Sequence, residues 1–515
     1  MTTVRKLRSL VPFRCAGLSL ALVSFALVSA RADENNDESQ LVAEVAKQGG
    51  HAVRDDTLPA RPVVAVNFGT RYARAPELTA AELSGLKAFR HLTRVGLYRV
   101  ALAATGLKPL SEIKHLSELD LYGPEFTDEI FAQVTSLHNL THLRLYNTKI
   151  TDEGLEKLKN LKSLTHRVVA DLDQFIERKL VLANAMEYAP MPDLGAPGAI
   201  VSKEPEDKSI LATESCLRSI KKLPNLTHLG LSGITIGEIG RTELSQMRNL
   251  RQLVLDNSGF FDADLEENGQ LKNLTELDLS NTFITDVGLK KLLELKSLTH
   301  LSLARTLITD AGLKDLKEFE NLTYLDLSAT EVTDVGLGEL TQLTNLRQLL
   351  LASTDVTDAA VKTLKGHENL IELDLGATKI TDAGLEELTE MQDLMALDLH
   401  RTDITDAGVK QLKRLKGLRK LSLYGTQITS SSVKDINELH ELTELDLWVW
   451  RVTVDSLREL KDLKNLKLLN FYPFSNTGDF IQVDLRQMFP AVTHVEWLPG
   501  ESVMRIHPSV NEFGP

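Results

Sequence analysis

One spacing dominates this chain: leucine returns every 24 residues over most of its length. The longest uninterrupted series contains nine leucines in the same phase: Leu274, Leu298, Leu322, Leu346, Leu370, Leu394, Leu418, Leu442 and Leu466. A fixed period of this size indicates a repeat architecture, in which each repeat buries its apolar face only against its neighbours. The 515 residues are therefore predicted to form a solenoid of stacked coils rather than several independent globular domains.

Each repeat combines two different apolar periods. The consensus is L-x-x-L-x-L-x-x-T-x-I-T-D-x-G-L-x-x-L-x-x-L-x-x. Its first part alternates apolar and polar residues, which predicts a short strand, and its last part has the apolar spacing of a helix. One strand and one helix per coil predict a right-handed β-α solenoid with a continuous parallel sheet. For one coil the predicted core is Leu298, Leu301, Leu303, Ile308, Leu313, Leu316 and Phe319.

This consensus resembles the leucine-rich repeat family, in a 24-residue form similar to the cysteine-containing repeats of F-box proteins and to exported bacterial members. The resemblance covers about Val63 to Trp497. It implies an α/β horseshoe of about 16–17 coils, with a parallel sheet on the concave side and helices on the convex side. The predicted organisation is a signal peptide (1–32), an acidic and polar linker (33–62), an N-terminal cap (63–91), a first repeat block (92–169), an insertion (170–213), a second repeat block (214–491) and a C-terminal cap and tail (492–515).

The N-terminus has the pattern of a secretory signal peptide. Basic residues lie between Arg5 and Arg14, an apolar run extends from Cys15 to Val28, and residues 30–32 form a small-x-small cleavage site. We therefore expect an extracytoplasmic protein, whether secreted, periplasmic or at the cell surface, with no integral membrane segment after cleavage. An uncleaved N-terminal anchor is the alternative.

The conserved-looking phrase I-T-D-x-G-L within the repeats is predicted to be scaffold. Its first Thr column, which includes Thr282 and Thr306, is expected to bond the backbone of the adjacent turn. The second Thr is expected to cap the helix, with the following Asp favoured by the positive helix end. A calcium site is disfavoured because each repeat supplies only one acid where calcium needs six to eight oxygens. The Gly is attributed to close packing between coils.

Other repeated features have structural and functional interpretations. The motif Asn-Leu-Thr at Asn139, Asn225, Asn273 and Asn321 matches a glycosylation acceptor, but its fixed place in the repeat favours a structural role. The insertion at 170–213 begins with an amphipathic stretch and continues with a Pro/Gly-rich one. Both a ligand-binding role and a tolerated excursion remain open for it.

Aromatic residues recur at one outward strand position and form the candidate ligand-binding surface. Exposed aromatics flanked by charge are typical interface anchors. Strand positions also favour Tyr and Trp for reasons of propensity alone, so coverage of the solenoid ends is the alternative. The candidate ligand-binding residues on the concave face are His400, Arg401, Tyr424, Asp446, Trp448, Tyr472, Tyr98, Tyr122 and Tyr146.

Catalytic and metal-binding patterns are not found in the sequence. His367-Glu368 and His440-Glu441 begin like a zinc-binding helix but lack the second His, and outward histidines such as His142, His228 and His300 lie in non-adjacent coils. We therefore expect no enzyme activity, no cofactor and no metal.

Charge and class together define the expected partners. The chain carries 58 Lys and Arg against 72 Asp and Glu, and the leader holds five basic residues and no acid, so the mature chain has a formal charge of −19. Nucleic acid is excluded as a partner because such a chain would repel phosphates. The predicted function is recognition of a protein partner on the concave sheet, with a polysaccharide as the second choice. A substrate-recognition subunit of a ubiquitin-ligase-type assembly and a purely structural envelope component are the alternatives.

Overall fold

The computed structural model describes residues 38–55, 58, 61–69, 77–102, 106–170, 217–218, 220–233, 236–265, 271–447, 451–471, 494–497 and 504–507. None of the helices in these ranges has the length and apolarity that a membrane crossing requires. The predicted signal peptide and nearly all of the predicted insertion lie outside the described residues.

The chain divides into two compact units, and the first ends at Leu164. In this unit β1 pairs antiparallel with β2, and β2, β3, β4 and β5 pair in parallel, in chain order. The strands are β1 Gly50–Arg54, β2 Val63–Phe68, β3 Arg94–Tyr98, β4 Glu118–Tyr122 and β5 His142–Tyr146. The helices are α1 Ser39–Lys47, α2 Ala80–Gly85, α3 Asp128–Phe131 and α4 Asp152–Glu156, with 3-10 turns at Leu86–Ala88, Lys108–Glu112, Ala132–Ser136 and Lys157–Asn160.

The second unit begins at Thr165 and repeats one short strand per coil. Its strands are β6 His166–Ala170, β7 His228–Ser232, β8 Gln252–Val254, β9 Glu276–Asp278, β10 His300–Ser302, β11 Tyr324–Asp326, β12 Gln348–Leu350, β13 Glu372–Asp374, β14 Ala396–Asp398, β15 Lys420–Ser422, β16 Glu444–Asp446, β17 Leu468–Phe471, β18 His494–Trp497 and β19 Met504–His507. Strands β6 to β17 pair in parallel, each with the next. The order departs from this pattern at the end, where β19 pairs antiparallel with both β17 and β18.

Helical segments alternate with these strands. The α-helices are α5 Glu238–Ser245, α6 Asp286–Lys291, α7 Asp310–Leu316, α8 Asp334–Leu337, α9 Asp358–Leu364, α10 Asp382–Leu388, α11 Asp406–Leu412 and α12 Val433–Ile436. The 3-10 turns are Asp262–Leu265, Leu292–Glu294, Gly338–Gln342, Ser430–Ser432 and Val454–Asp462. The predicted repeat of one strand and one helical segment per coil is thereby confirmed.

The core of unit 2 is an aliphatic column shared between successive coils. Strand pairing joins residues exactly 24 apart, for example Leu301 with Leu325, so equivalent leucines stack directly. Every residue of the core predicted for the coil that begins at Leu298 has 0% exposure. Because each coil buries its leucines only against neighbouring coils, the stack rather than the single repeat is the stable unit.

The predicted linker at 33–62 is wrong for its described part. Helix α1 buries Leu41 and Val45, and β1 forms a hairpin-like antiparallel pair with β2. The composition of this stretch is polar, but its few apolar residues fall on one helical face, so the segment covers the exposed edge of the first parallel strand.

The first Thr column has the predicted role. Thr282 and Thr306 are buried, and each hydroxyl donates a hydrogen bond to the backbone carbonyl three residues earlier, at 2.5 Å. The predicted helix cap is also present, because the hydroxyl of Thr309 accepts the N–H of Ala311 at 3.2 Å. These bonds satisfy polar groups that a tight coil would otherwise bury without a partner.

The Asp of the phrase does more than face the helix end. Asp286 Oδ1 accepts the backbone N–H of Thr309 in the next coil at 3.0 Å, and Asp286 Oδ2 accepts the Thr309 hydroxyl at 2.8 Å. The same pair of bonds recurs from Asp310 to Thr333 and in the coils that follow, through Asp406 and Thr429. The carboxylate therefore links each coil to the next, which the sequence reading did not predict.

The glycine of the phrase is explained by this link. A Cβ at Gly312 would lie 2.3 Å from Oδ1 of Asp286, so the glycine leaves room for the carboxylate of the preceding coil. Where the position is Ser432, its hydroxyl hydrogen-bonds to Asp406 and takes part in the same contact. The close approach between coils expected at this position is confirmed, and its partner is the Asp.

The repeated Asn is structural, as favoured by the sequence. Asn139, Asn273 and Asn321 each donate from Nδ2 to a backbone carbonyl 25 residues earlier, at 3.0, 2.8 and 3.0 Å. Asn369 makes the same bond at 2.9 Å, although it begins the sequence Asn-Leu-Ile and not Asn-Leu-Thr. The bond is therefore a feature of the repeat, and it links each coil that contains such an Asn to the preceding coil.

The Asp–Thr link predicts a measurable cost when one carboxylate is removed. Asp310→Ala deletes both acceptors of Thr333 and leaves its N–H without that partner. We expect the free energy of unfolding to fall by about 1–3 kcal/mol, the usual cost of orphaning such a donor. Urea unfolding of the full chain measures it.

The matched control is Asp355→Ala in the following coil. The Asp355 side chain is 68% exposed and makes only a surface pair with Lys379 at 2.7 Å, so its loss should change stability by less than about 0.5 kcal/mol. Equal losses for the two variants would contradict the structural role of the Asp–Thr link.

Candidate functional site

The sheet of unit 2 has one face turned away from the helices, here called the open face. In each short strand the central residue is a buried leucine, and the two residues that flank it are partly exposed, as in Glu276, Leu277 and Asp278. The residue two positions beyond the strand end continues the same side, as at Ser280. These are the positions that the sequence reading assigned to the concave surface.

The open face of β8 to β16 carries a large excess of carboxylates. The open-face positions of the described residues 252–446 carry nine acids; the cationic side chains at or directly after these positions are Arg305, Arg401 and Lys420, and Arg251, Arg347 and Arg419 lie directly before them. Lys420 is already paired with Glu444 at 2.9 Å. The nine acids are Asp256, Glu276, Asp278, Asp326, Glu372, Asp374, Asp398, Glu444 and Asp446.

Burial and the repulsion of neighbouring acids raise the pKa of two of these carboxylates, Asp278 and Asp374. The pKa of Asp278 is raised by burial first and by Asp256 and Asp326 next. The pKa of Asp374 is raised to about 6, by burial and then by the neighbouring Asp398. Like charges held on a partly buried surface favour any ligand that supplies positive charge.

Two hydroxyl groups lie between Asp278 and Asp326, which end strands on either side of β10. The Ser280 hydroxyl donates to Asp278, and the Ser302 hydroxyl can donate either to Ser280 at 2.7 Å or to Asp326 at 3.3 Å. These bonds restrict the orientation of Asp278.

Three members of the predicted C-terminal cluster, His400, Arg401 and Tyr424, lie in contact with one another. His400 stacks on Tyr424 with ring centroids 6.4 Å apart. The Arg401 guanidinium lies 5.4 Å from the Tyr424 ring centroid and donates to its hydroxyl at 3.1 Å. Asp398 holds His400 by a contact of 2.9 Å to Nδ1, and this bond raises the pKa of His400.

The remaining members of that cluster are placed only in part. Asp446 ends β16 and is half-buried on the open face, in register with Ser422 of β15. Trp448 and Tyr472 lie outside the described residues. Their role in ligand binding stays a prediction.

The N-terminal tyrosines form a row on the sheet of unit 1, but one of them is not available at the surface. Ring centroids are 6.3 Å apart between Tyr98 and Tyr122 and 6.4 Å apart between Tyr122 and Tyr146. Tyr122 is only 2% exposed, so the expectation that it forms part of an exposed surface is wrong. The ring is enclosed by its two neighbours in the row, which stay half-buried.

A buried charge network beside these tyrosines was missed by the sequence reading. Asp120 is 1% exposed and accepts from Arg94 at 2.6 and 3.0 Å and from Arg144 at 3.0 Å. A charged bond from two arginines compensates the burial of one carboxylate. The 24-residue spacing of Asp120 and Arg144 on adjacent strands was a signal that could have revealed it.

A histidine pair was also missed. His166 and His228 stack with ring centroids 3.7 Å apart on adjacent strands, and the Thr before each His lies 2.7 and 2.8 Å from Nδ1. The insertion was predicted to lie within one repeat, so the two coils were expected to be neighbours, but the comparison of outward histidines included His228 without His166. Aligning the phrase Leu-Thr-His on both sides of the insertion would have found the pair.

The histidine of the incomplete zinc motif has a structural environment. His367 is 2% exposed, and neither ring nitrogen has a hydrogen-bond partner among the described residues. Burial lowers its pKa. A neutral histidine enclosed in the core cannot approach a substrate, which agrees with the sequence argument against a zinc helix there.

Large exposed apolar side chains lie on a different surface, at the loops that lead from strands into helices and in the first turns of α6 and α8. Phe283 is 64% exposed, Val287 58%, Leu307 49% and Val335 77%. They occupy the variable positions of T-x-I-T-D-x-G, where other coils carry Glu331 or another polar residue. This apolar edge is separate from the open face, and the sequence reading did not identify it.

The raised pKa of Asp278 predicts how stability responds to pH. A carboxyl group whose pKa is higher in the folded protein favours folding below its unfolded pKa, near 3.8, and loses that contribution as pH rises through the folded value. Asp278→Asn keeps the acceptor for Ser280 and removes the charge. We expect the variant to melt at a higher temperature than the wild type at pH 7–8, with the difference shrinking towards zero near pH 4.

Differential scanning calorimetry across that pH range measures the effect. Glu318→Gln serves as the control, since Glu318 is exposed beyond the end of α7 and should show no comparable pH-dependent gain. A variant that is less stable than wild type at pH 7 would contradict the electrostatic account of the open face.

Comparisons with known proteins follow the repeat. A leucine rich repeat family model matches residues 272–332, and a second leucine rich repeat model matches residues 136–159 and 366–388. No curated protein matches the chain.

Solved structures with similar folds include several repeat proteins. An internalin, InlF, from Listeria monocytogenes is 22% identical, with 67% of this chain and 83% of that chain covered and a TM-score of 0.42. A leucine-rich repeat protein of Leptospira interrogans is 18% identical, with coverages of 78% and 96% and a TM-score of 0.39. The mouse RP105/MD-1 complex is 18% identical, with coverages of 74% and 58% and a TM-score of 0.43.

The assignment to a family rests on the repeats themselves. Family models match in both units, and each coil of unit 2 places one strand and one helical segment around a shared leucine column. The two family models and the repeated coils support a leucine-rich repeat solenoid.

Proposed function

We propose that this protein is an exported, non-catalytic recognition protein that binds a protein partner on the open face of its sheet, and that the partner presents a basic surface. The observation that carries the proposal is the set of nine carboxylates on the open face of β8 to β16, which outnumber the basic side chains there. Complementary charge steers partners and selects among them, so an acidic face of this size favours a cationic one.

The shape of the open face supports an extended contact. The residues that follow the strands in the middle coils are small: Ser280, Ala304, Ser328, Ala352 and Gly376. They leave the acids of the strands accessible from above. His400 and Tyr424 replace them in the next coils and close the small-residue stretch with stacked rings. A partner segment lying across the middle coils would meet carboxylates along its length and aromatic groups at one end.

The other predicted site residues enter the proposal with different weights. Arg401, Tyr424 and Asp446 belong to the C-terminal end of the surface, and the sequence prediction adds Trp448 and Tyr472, which lie outside the described residues. Tyr98 and Tyr146 offer half-exposed rings on unit 1 as a separate contact, and Tyr122 supports them from below. Tyrosine rows also stack on sugars, so polysaccharide binding confined to Tyr98 and Tyr146 is the alternative ligand chemistry.

Neutralising the open face should weaken capture of the partner. The test variant combines Asp278→Asn, Asp326→Asn and Glu372→Gln. After the partner has been identified by affinity capture with the wild-type protein, we expect its Kd to rise by about tenfold or more for the variant. Wild-type affinity should also fall with rising salt. Isothermal titration at two salt concentrations measures both.

A control with the same change in net charge separates local from general electrostatics. Glu294→Gln, Glu318→Gln and Glu339→Gln neutralise three exposed acids on the helical side of the same coils. The control should bind as the wild type does. Equal binding by the wild type and the open-face variant would refute this surface as the site, and equal weakening by both variants would reduce the effect to net charge.

Export is proposed from the leader sequence and has its own test. N-terminal sequencing of the protein purified from its native cells should give Asp33 as the first residue, and the protein should be recovered outside the cytoplasm. An intact N-terminus on a cytoplasmic protein would contradict export and favour the ubiquitin-ligase-type alternative. An exported protein that captures no ligand would favour the structural envelope alternative.

A further inference from the structure

Three side chains with metal-binding atoms converge on the open face between β13 and β14. Asp374 and Asp398 end these neighbouring strands in register, and His400 lies two residues beyond Asp398. One ligand atom from each of the three lies within 4.8 Å of the other two. Ligand atoms around a tetrahedral zinc ion are about 3.3 Å apart, so small side-chain rotations suffice to close the set.

The arrangement depends on a combination that the described coils of unit 2 show once. Among the last residues of β8 to β16, only Asp374 and Asp398 place two acids on adjacent strands. At Gly376 a Cβ atom would lie 1.9 Å from the ring of His400. The missing side chain therefore lets the imidazole lie across towards the strand of Asp374, where the small residues of other coils carry a Cβ.

The hydrogen bonds at these residues orient the ligands and leave atoms for an ion. Asp374 Oδ1 accepts the N–H of Gly376 at 2.8 Å, and Asp398 Oδ1 accepts the N–H of His400 at 2.8 Å. Asp398 Oδ1 also lies 2.9 Å from Nδ1 of His400. None of these bonds uses Oδ2 of either carboxylate or Nε2 of the imidazole. The converging set takes one ring nitrogen of His400 with one oxygen from each Asp, and an ion bound between Asp398 and Nδ1 would replace the hydrogen bond between them.

Charge and access also favour a cation here. The two neighbouring carboxylates repel each other, and a dication between them would remove that repulsion. The side chains of His400 and Asp398 are 26% and 38% exposed, so an ion can enter from solvent and keep water in a remaining position.

We propose that Asp374, Asp398 and His400 bind one transition-metal dication, with Zn²⁺ as the favoured ion and water completing its coordination. One imidazole and two carboxylates suit Zn²⁺ and related ions, whereas Ca²⁺ and Mg²⁺ prefer six or more oxygens. The sequence analysis expected no metal because it considered the acids at the helix starts, the His-Glu pairs and the outward histidines separately, and not the acids of the strands together with His400. The inference stands apart from partner recognition, since it is tested with the metal alone.

Titration of the full-length mature protein with zinc chloride, after treatment with a chelator, tests the site. We expect one equivalent to bind the wild type, and His400→Ala and Asp374→Asn each to weaken that binding at least about tenfold, the scale of losing one of three ligands. Zinc should also raise the melting temperature of the wild type and not that of His400→Ala.

Two controls make the result specific. Asp355→Asn removes an exposed acid outside the open face, and His300→Ala removes a histidine that stacks on Tyr324 instead. Both should bind zinc as the wild type does, and circular dichroism should show that all four variants are folded. The absence of saturable binding to the wild type, or unchanged one-equivalent binding by folded His400→Ala, would overturn the proposal.

Discussion

The hydrogen bonds that one Asp carboxylate accepts from the Thr of the next coil hold the repeats of unit 2 in register. Leucine burial provides the gross stabilisation, but it is non-directional and would tolerate sliding of one coil against another. The bidentate contact of Asp310 with the backbone and hydroxyl of Thr333 fixes the separation and the phase of two coils at once. Glycine stands beside this contact because a side chain there would collide with the carboxylate of the preceding coil.

This scaffold leaves the open face chemically unconstrained. Residues on that face contribute little to the leucine core, so coils with the same backbone can carry Asp, Ser, His or Tyr at equivalent positions. The open face of β8 to β16 carries acids although burial and repulsion raise the pKa of several of them. A surface that costs stability without serving the core is a candidate for function, and this contrast between a uniform scaffold and a variable face underlies the proposed recognition role.

The fold was largely predictable because its determinants are local and repeated. The 24-residue pattern predicts the strand, the helix, the core residues and their stacking together. A single coil, such as the one that begins at Leu298, contains all of these signals. The terminal segment Ser39–Arg54 was missed because it occurs once and has no period to average over. The Asp–Thr link was read within one repeat as a helix-end effect, since a sequence does not display that residues 23 positions apart touch.

The site was less predictable, because function lies where the repeats disagree. The aromatic positions could be located by register, but exposure depends on neighbouring side chains, as the enclosed ring of Tyr122 shows. The convergence of Asp374, Asp398 and His400 depends on Gly376, whose effect is visible only as space. The pairing of His166 with His228 could have been predicted once the insertion was placed within one repeat, because both residues then occupy the same position in adjacent coils.

Site-specific cross-linking can distinguish a partner bound on the open face from one bound on the helical side. A photo-reactive amino acid can be placed at Ala352, on the open face after β12, and in a second protein at Lys362, exposed on α9 in the same coil. Irradiation in the presence of the captured partner should cross-link it through position 352 and not through position 362. Cross-linking through position 362 alone would contradict the account.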